Sequence, residues 1–216
     1  MKRRQFVVTA STLAGVACTP GLALAQAKAP QAGVDFVRVD PPAAVDAPPG
    51  KVEVLEFFWY NCPHCHAFEP GLSAWTKTLP KDVVFKRVPI AFDDSFVPQQ
   101  RLFYALEALK LVDKLHAKVF QAIHVEHLKL GNAQAITEWV VKQGVDRAKF
   151  TEQFNSFSVS TLATRARQLQ NAYRIEGVPA LGVAGRFVTD GAMTKSMERA
   201  LQVANFLIAE VRAKRT

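Results

Sequence analysis

A strand that runs directly into two closely spaced cysteines is the feature that most constrains this chain. Residues 51–60 (KVEVLEFFWY) are rich in β-branched and aromatic side chains and almost continuously apolar, which is typical of a central strand covered on both faces. Asn61-Cys-Pro-His-Cys65 follows, and a helical pattern runs from Pro63 to about Leu79. Because proline at the first helical position costs no hydrogen bond and presets the backbone, the cysteines are predicted at the start of a helix.

The rest of the chain predicts a block of helices between two β-containing segments. Residues 82–90 predict a second strand, and strand, helix and strand in that order imply a parallel pair joined by a right-handed crossover. Residues 95–173 have helical spacing throughout. The further predictions are an edge strand at 36–39, N-caps at Asn132 and Asp146, a helix-ending Gly177, short strands at 179–183 and 186–188 around Ala184-Gly185, and a last helix at 195–212.

The N-terminus has the pattern of a secretory signal. Basic residues 2–4 precede an apolar run from Phe6 to about Ala17, and cleavage after Ala25 or Ala27 fits the small residues that follow. Since this run is shorter than the roughly 20 residues that a membrane span needs, residues 1–27 are predicted to be a signal peptide. Arg3-Arg-Gln-Phe6 also resembles a twin-arginine signal, which leaves the export route open.

Composition and charge exclude several classes of protein. The chain has 216 residues, 49% hydrophobic and 21% charged, which is ordinary for a globular protein and argues against disorder. Removing residues 1–27 takes away three basic residues and no acid, so the net charge falls from +8 to +5. The remaining lysines and arginines are interleaved with glutamate and glutamine along helical stretches, and no nucleic-acid binding is predicted.

Two of the three cysteines, Cys62 and Cys65, remain after the signal, which contains Cys18. A disulfide across so small a loop would stabilise the fold by only about 2 kcal/mol on the loop-entropy account, which makes it a poor structural cross-link. An exported protein whose only cysteines lie this close together is expected to use them for redox chemistry.

The start of the helix predicts an unusual thiol at Cys62. Unpaired N–H groups and partial positive charge stabilise an anion there, and a cationic His64 would add to that effect. Cys65, about one turn further on and less exposed, can attack a mixed disulfide formed at an exposed Cys62. Because a stabilised thiolate makes the corresponding disulfide a stronger oxidant, the motif predicts a protein that gives disulfides to other proteins.

Two other chemistries fit part of the same motif. Cys62-Pro-His-Cys65-His66 matches the c-type haem attachment pattern, and a second axial ligand could come from Met193, Met197, His116, His124 or His127. Zinc could bind Cys62, Cys65 and a histidine, although the sequence has no second Cys-x-x-Cys. Outside such sites, His116 and the pair His124 and His127, one turn apart, are expected on solvated helix faces.

Three segments together carry a family resemblance. Val54-Leu-Glu-Phe-Phe58 leading into Cys62-Pro-His-Cys65, and Gly177-Val-Pro-Ala180 before the last strands, resemble the DsbA-type periplasmic thiol:disulfide oxidoreductases. The resemblance implies an α/β, thioredoxin-like fold with a helical domain inserted between its βαβ and ββα halves. It places the thioredoxin-like domain at residues 28–94 and 174–216, the inserted helices at 95–173, and the protein in the periplasm.

The resemblance also implies roles for individual residues. Cys62 is the expected nucleophile, Cys65 the resolving cysteine, and Pro179 a cis-proline that lies opposite the bridge and pairs with the substrate backbone. Val178 matches the oxidases, since the related isomerases usually carry threonine there. A disulfide isomerase remains an alternative, although such enzymes need an N-terminal dimerisation domain for which the chain has no room.

Charged residues are implied beneath the cysteines. Glu56, Glu69 and Lys86 stand where the family keeps acidic and basic groups, which together with Pro63 and His64 would tune the pKa of the thiols; the alternative is surface ion pairing. The implied partners are reduced, newly translocated proteins and a membrane quinone-linked oxidase of the DsbB type. The resemblance implies a monomer that needs no bound cofactor or metal.

Overall fold

The computed structural model describes residues 29–213 and centres on one five-stranded mixed sheet. The strands lie in the order β1-β5-β4-β2-β3. Their bounds are β1, Val37–Arg38; β2, Val52–Phe58; β3, Val83–Pro89; β4, Ala180–Val183; and β5, Phe187–Asp190. β2 and β3 are parallel, whereas β4 is antiparallel to both β2 and β5, and β1 pairs antiparallel with β5 at the edge. The predicted central strand, the parallel pair and the edge strand are confirmed.

Helices cover both faces of the sheet. They are α1, Pro63–Thr76; α2, Val97–Ala108; α3, Val112–His124; α4, Ala133–Lys142; α5, Arg147–Phe154; α6, Phe157–Ala172; α7, Gly191–Thr194; and α8, Met197–Ala213. A short 3-10 turn, Asp94–Phe96, leads into α2. The five helices α2 to α6 lie in the chain between β3 and β4, so the predicted α/β arrangement, with helices between a βαβ and a ββα half, is confirmed.

The sheet separates two apolar cores, and β2 contributes to both. All seven residues of β2 are buried. Val52 and Val54 pack with side chains of α1 and α8, whereas Leu55 and Phe57 pack with the helices that follow β3. The inserted helices therefore share a core with the sheet; their bounds at residues 95–173 remain a proposal. The alternation of side chains along a strand explains why β2 reads as a continuous apolar run.

Strand order brings two distant segments of the chain together. α1 begins just beyond the carboxyl end of β2, and the segment that leads into β4 passes the same end because β4 pairs with β2 in the opposite direction. The register places Phe57 of β2 opposite Ala180, the first residue of β4. Cys62 and the Val178-Pro179 peptide thus become neighbours although they are more than a hundred residues apart.

Several predicted boundaries are wrong in detail. α1 ends at Thr76 rather than near Leu79. Gly177 does not end a helix: α6 ends at Ala172, and Arg174 takes the left-handed conformation, with φ 53°, just beyond it. The last helix, α8, begins at Met197 rather than at residue 195, because Lys195 takes the left-handed conformation, with φ 70°, and ends the short helix α7. Because local backbone choices at helix ends depend on tertiary contacts, sequence pattern fixes them poorly.

The predicted signal peptide at residues 1–27 lies outside the described residues. Within residues 29–213, no helix is both long and apolar enough to cross a membrane.

Close packing between β4 and the end of α6 gives a test of the fold. A methyl group on Gly182 would lie 2.5 Å from Cε1 of Tyr173, a buried ring whose hydroxyl accepts a hydrogen bond from the N–H of Gly185 at 2.9 Å. We expect Gly182→Ala to lower the free energy of unfolding by about 1–3 kcal/mol, because the ring must shift within a packed core. Denaturant unfolding measures this loss.

Gly71→Ala is the matched control. Gly71 lies inside α1 with open space around the position of a Cβ atom, so alanine should leave stability unchanged or raise it by up to about 1 kcal/mol. A Gly182→Ala protein as stable as the wild type would contradict the packing described here.

Candidate active site

Cys62 and Cys65 lie together at the start of α1. Cys62 is the N-cap residue of the helix, and its Sγ accepts a hydrogen bond from the backbone N–H of Cys65 at 3.4 Å. Pro63 occupies the first turn, where its missing N–H leaves no unsatisfied group. Both cysteines are free thiols, so the structure shows the reduced form of the pair. The helix start at the cysteines is confirmed.

The Val178-Pro179 peptide covers Cys62. The bond between these residues is cis, as predicted, and the carbonyl oxygen of Val178 accepts a hydrogen bond from the Cys62 thiol at 3.3 Å. As a result only 7% of the surface of Cys62 stays exposed; Cys65, further into α1, is fully buried. The expectation of an exposed Cys62 is therefore wrong in degree, because the segment before β4 packs against its sulfur.

Hydrogen bonds to the sulfur favour the thiolate of Cys62. The largest contribution is the bond from the thiol of Cys65; burial opposes it, and backbone N–H groups of Cys65 and His64 and the charge of His64 add to it. Together they lower the pKa of Cys62 to about 6. The prediction of a low pKa at Cys62 agrees with this environment. The His64 charge is the smallest of these influences, since its side chain is exposed to solvent.

Cys65 behaves in the opposite way. Burial raises its pKa, and both the hydrogen bond to Cys62 and the neighbouring negative charge raise it further. The two thiols therefore differ in kind: Cys62 holds negative charge readily, whereas Cys65 keeps its proton.

Two buried carboxylates share one partly buried arginine close to the cysteines. Nη1 of Arg87 lies 2.5 Å from Oε2 of Glu56, and its two terminal nitrogens also bind both oxygens of Glu69, at 2.7 and 2.8 Å. Glu56 and Glu69 are 1% and 7% exposed. Sharing one cation is not enough to keep two buried carboxylates equally charged.

The two carboxylates respond differently to burial. Burial raises the pKa of Glu56 to about 7, against the opposing charge of Arg87. Burial also acts on Glu69, but the hydrogen bond from His116, the charge of Arg87 and the hydroxyl of Ser73 outweigh it and hold the pKa of Glu69 well below its usual range. Glu56 is thus the carboxyl group that exchanges a proton near neutral pH, and its charge is felt by Cys65.

His116 extends this network into the inserted helices. Its Nε2 lies 3.3 Å from Glu69, and its Nδ1 lies 2.8 Å from the hydroxyl of Tyr60. Burial lowers the pKa of His116, so the neutral ring donates from Nε2 to Glu69 and accepts at Nδ1 from Tyr60. The prediction of a solvated face for His116 is wrong, since this side chain is buried and is enclosed by aromatic rings.

Lys86 does not belong to this network. Its Nζ binds Oε2 of Glu53 at 2.8 Å, and its side chain is 38% exposed. Because adjacent residues of a strand point to opposite faces, Arg87 faces α1 whereas Lys86 faces away from it. The placement of Lys86 beneath the cysteines is wrong, and Arg87 takes that position.

The histidines near the motif also differ from prediction. α3 ends at His124, so His127 does not lie one helical turn from it on the same helix. His127 is exposed, whereas the ring of His124 stacks on that of His66, with 4.9 Å between centroids and 7° between planes. The prediction of a solvated position is therefore right for His127 and wrong for the half-buried His124.

The placement of these side chains bears on the haem and zinc alternatives. Attachment of haem needs two accessible cysteines and an open imidazole, but Cys65 is fully buried and His66 stacks on His124 and Phe120. Among residues 29–213, no three histidine, cysteine or carboxylate side chains are grouped to hold a metal ion.

A dithiol at a helix start, a mixed sheet and a cis-proline facing the sulfur define a thioredoxin-like dithiol protein. The family described as the DSBA-like thioredoxin domain matches residues 53–202. The thiol:disulfide interchange protein DsbA of Bordetella parapertussis is 47% identical over 201 residues, covering 93% of this chain and 95% of the relative. That of Burkholderia cepacia is 44% identical over 195 residues, covering 90% and 92%.

A solved structure agrees with these relatives. The crystal structure of Pseudomonas aeruginosa DsbA matches with a TM-score of 0.82 and 37% identity, covering 86% of this chain and 96% of that one. The chain belongs to the DsbA-like thioredoxin family.

The raised pKa of Glu56 predicts a stability that depends on pH. Because the native state holds this proton more tightly than the unfolded chain, the contribution is fully present below about pH 4.5 and is lost as the pH rises through about 7. The difference between these pKa values corresponds to about 3 kcal/mol. We expect Glu56→Gln to flatten the decline in unfolding free energy between about pH 4.5 and pH 7, as measured by denaturant unfolding at each pH.

Glu152→Gln, at an exposed position of α5, is the control and should keep the wild-type slope. If the Glu56→Gln protein declines as steeply as the wild type, the buried carboxyl group does not carry the proton assigned to it.

Proposed function

We propose that this protein is an exported protein disulfide oxidase that donates its Cys62–Cys65 disulfide to newly translocated proteins. The observation that carries the proposal is the contrast between the two thiols, since only Cys62 is surrounded by groups that stabilise its thiolate. Membership of the DsbA-like family and the names of the relatives support the reaction class and a periplasmic location.

The reaction passes two electrons from the client to the enzyme. A client thiolate attacks Sγ of Cys62 in the oxidised enzyme, which forms a mixed disulfide and releases Cys65. A second client thiolate then attacks the client sulfur of that bond, which forms the client disulfide and expels Cys62 as a thiolate. The client dithiol is oxidised and the Cys62–Cys65 pair is reduced.

The surroundings of each sulfur suit its step. Cys62 is a good leaving group because its thiolate is stabilised. Cys65 must take up a proton when it is released, and we assign Glu56, whose charge acts on Cys65, as the group that exchanges protons with it. Arg87 and Glu69 hold Glu56 in place, while Pro63 and His64 shape the helix start.

An apolar groove beside the dithiol suits an extended client segment. It encloses about 480 Å³ and is lined by residues that include His64, Val178, Pro179 and Met197. We assign Val178 and Pro179 to binding of the client backbone, because both line this groove and the carbonyl oxygen of Val178 already accepts a hydrogen bond from Cys62. The reduced enzyme then needs an oxidant, for which we propose a membrane quinone-linked partner of the DsbB type.

Single cysteine variants test the assigned roles. Cys62→Ser should abolish oxidation of a reduced client protein, because the variant cannot form the Cys62–Cys65 disulfide that the client thiolate attacks. Cys65→Ser should instead accumulate a client–Cys62 mixed disulfide after mixing with a disulfide-bonded client, because the resolving thiol is missing. Non-reducing electrophoresis and mass spectrometry identify the adduct. An adduct on Cys65 in the Cys62→Ser protein would contradict the order of attack.

The direction of transfer is tested by equilibration with glutathione buffers. We expect a couple clearly more oxidising than that of thioredoxin, which lies at about −270 mV. A couple as reducing as thioredoxin would contradict the oxidase assignment, and efficient refolding of a scrambled client would favour the isomerase alternative.

A further inference from the structure

One imidazole contacts the backbone before the dithiol motif and the side chain after it. Nε2 of His124 lies 2.8 Å from the carbonyl oxygen of Tyr60, two residues before Cys62. The same ring stacks on His66, which directly follows Cys65. His124 is the last residue of α3, and α3 belongs to the helices inserted between β3 and β4.

Tyr60 is held by α3 at two points. His124 binds its carbonyl oxygen, and His116, two helical turns earlier, binds its hydroxyl at 2.8 Å. Tyr60 is buried, and its phenol ring packs edge-on against Phe120, a further residue of α3. Both the main chain and the side chain of Tyr60 are therefore fixed against one helix.

The bond to Tyr60 does not depend on the protonation state of His124. A carbonyl oxygen only accepts, so Nε2 must carry the hydrogen. The imidazolium ion and the neutral tautomer protonated at Nε2 both meet this condition. The hydrogen bond from His124 to the Tyr60 carbonyl oxygen is therefore available in both of these protonation states.

The backbone that His124 holds is the backbone that sets the charge on Cys62. The N–H groups of His64 and Cys65 reach the Cys62 sulfur only while the first turn of α1 keeps its angle to the end of β2. Tyr60 lies between β2 and α1, and the N–H of Cys62 bonds to the carbonyl oxygen of Trp59 in the same turn. A ring that contacts both sides of this turn limits its movement.

We propose that His124 is a positioning residue for disulfide exchange, which holds the turn before Cys62 and the helix after Cys65 in the geometry that stabilises the Cys62 thiolate. The role of His124 in disulfide exchange rests on the proposed oxidase function. The effect of His124 on the Cys62 sulfur does not require a client protein and can be measured without one.

Three variants test the proposal by titration of the Cys62 thiolate. His124→Phe keeps an aromatic ring against His66 but removes the donor to Tyr60, and should raise the pKa of Cys62 by roughly half a unit to one unit, a threefold to tenfold loss of thiolate preference. His124→Gln keeps an amide donor that can reach the same carbonyl oxygen and should restore most of the wild-type value. His127→Gln, an exposed position three residues further on, should titrate as the wild type.

The equilibrium with glutathione gives a second readout. The disulfide of His124→Phe should become less oxidising by the same factor, because thiolate stabilisation and oxidising power are linked. Unfolding free energy is measured in parallel for each variant. If His124→Phe does not fold, His124→Asn replaces it, since the shorter amide leaves the Tyr60 carbonyl oxygen without this donor.

Two results would overturn the proposal: a Cys62 titration unchanged in the donor-less variant, whatever its stability, or an equal shift in His127→Gln. Failure of the proposed function looks different. A wild-type protein that cannot oxidise a reduced client would refute the oxidase assignment, while the titrations would still decide the role of His124.

Discussion

The hydrogen bonds that converge on the Cys62 sulfur are the interaction on which the site depends. They come from the first turn of α1 and from the Cys65 thiol, so they exist only if a helix starts directly at the dithiol. Pro63 favours that start, and a strand buried on both faces fixes where it occurs. The Val178 carbonyl oxygen opposes ionisation, since it can accept only from the protonated thiol, but the donors outweigh it.

The charged network behind the cysteines has a complementary role. A partly buried arginine between two buried carboxylates helps to keep Glu69 charged and leaves Glu56 to carry the exchangeable proton. Burying charged groups costs stability unless each of them is well hydrogen-bonded. A buried ion network is therefore weak evidence that these residues serve only to stabilise the fold. Its position next to Cys65, the thiol that must regain a proton in each cycle, gives it a chemical use. His116 connects this network to α3, as His124 connects the turn before Cys62 to the same helix.

The sequence predicts the elements that local chemistry determines. The side-chain caps expected at Asn132 and Asp146 are present, since an N-cap needs only a short polar side chain before a helix. Local chemistry does not determine whether Lys86 or Arg87 binds the carboxylates. Adjacent residues face opposite sides of β3, and only the register with β2 places Arg87 opposite Glu56. His116 could have been found, since it falls in the apolar stripe formed by Val112, Val119 and Phe120. Its partners Tyr60 and Glu69 could not, because they depend on how α3 packs against α1.

Titration of Cys62 in the reduced wild-type protein is the most direct test of whether the first turn of α1 and the Cys65 thiol stabilise its thiolate. Ultraviolet absorbance of the thiolate, compared with a Cys62→Ser protein, isolates the signal of this sulfur. We expect a midpoint near pH 6, so that the thiolate predominates at neutral pH. A midpoint at the value of an ordinary cysteine, about 8.5, would contradict it.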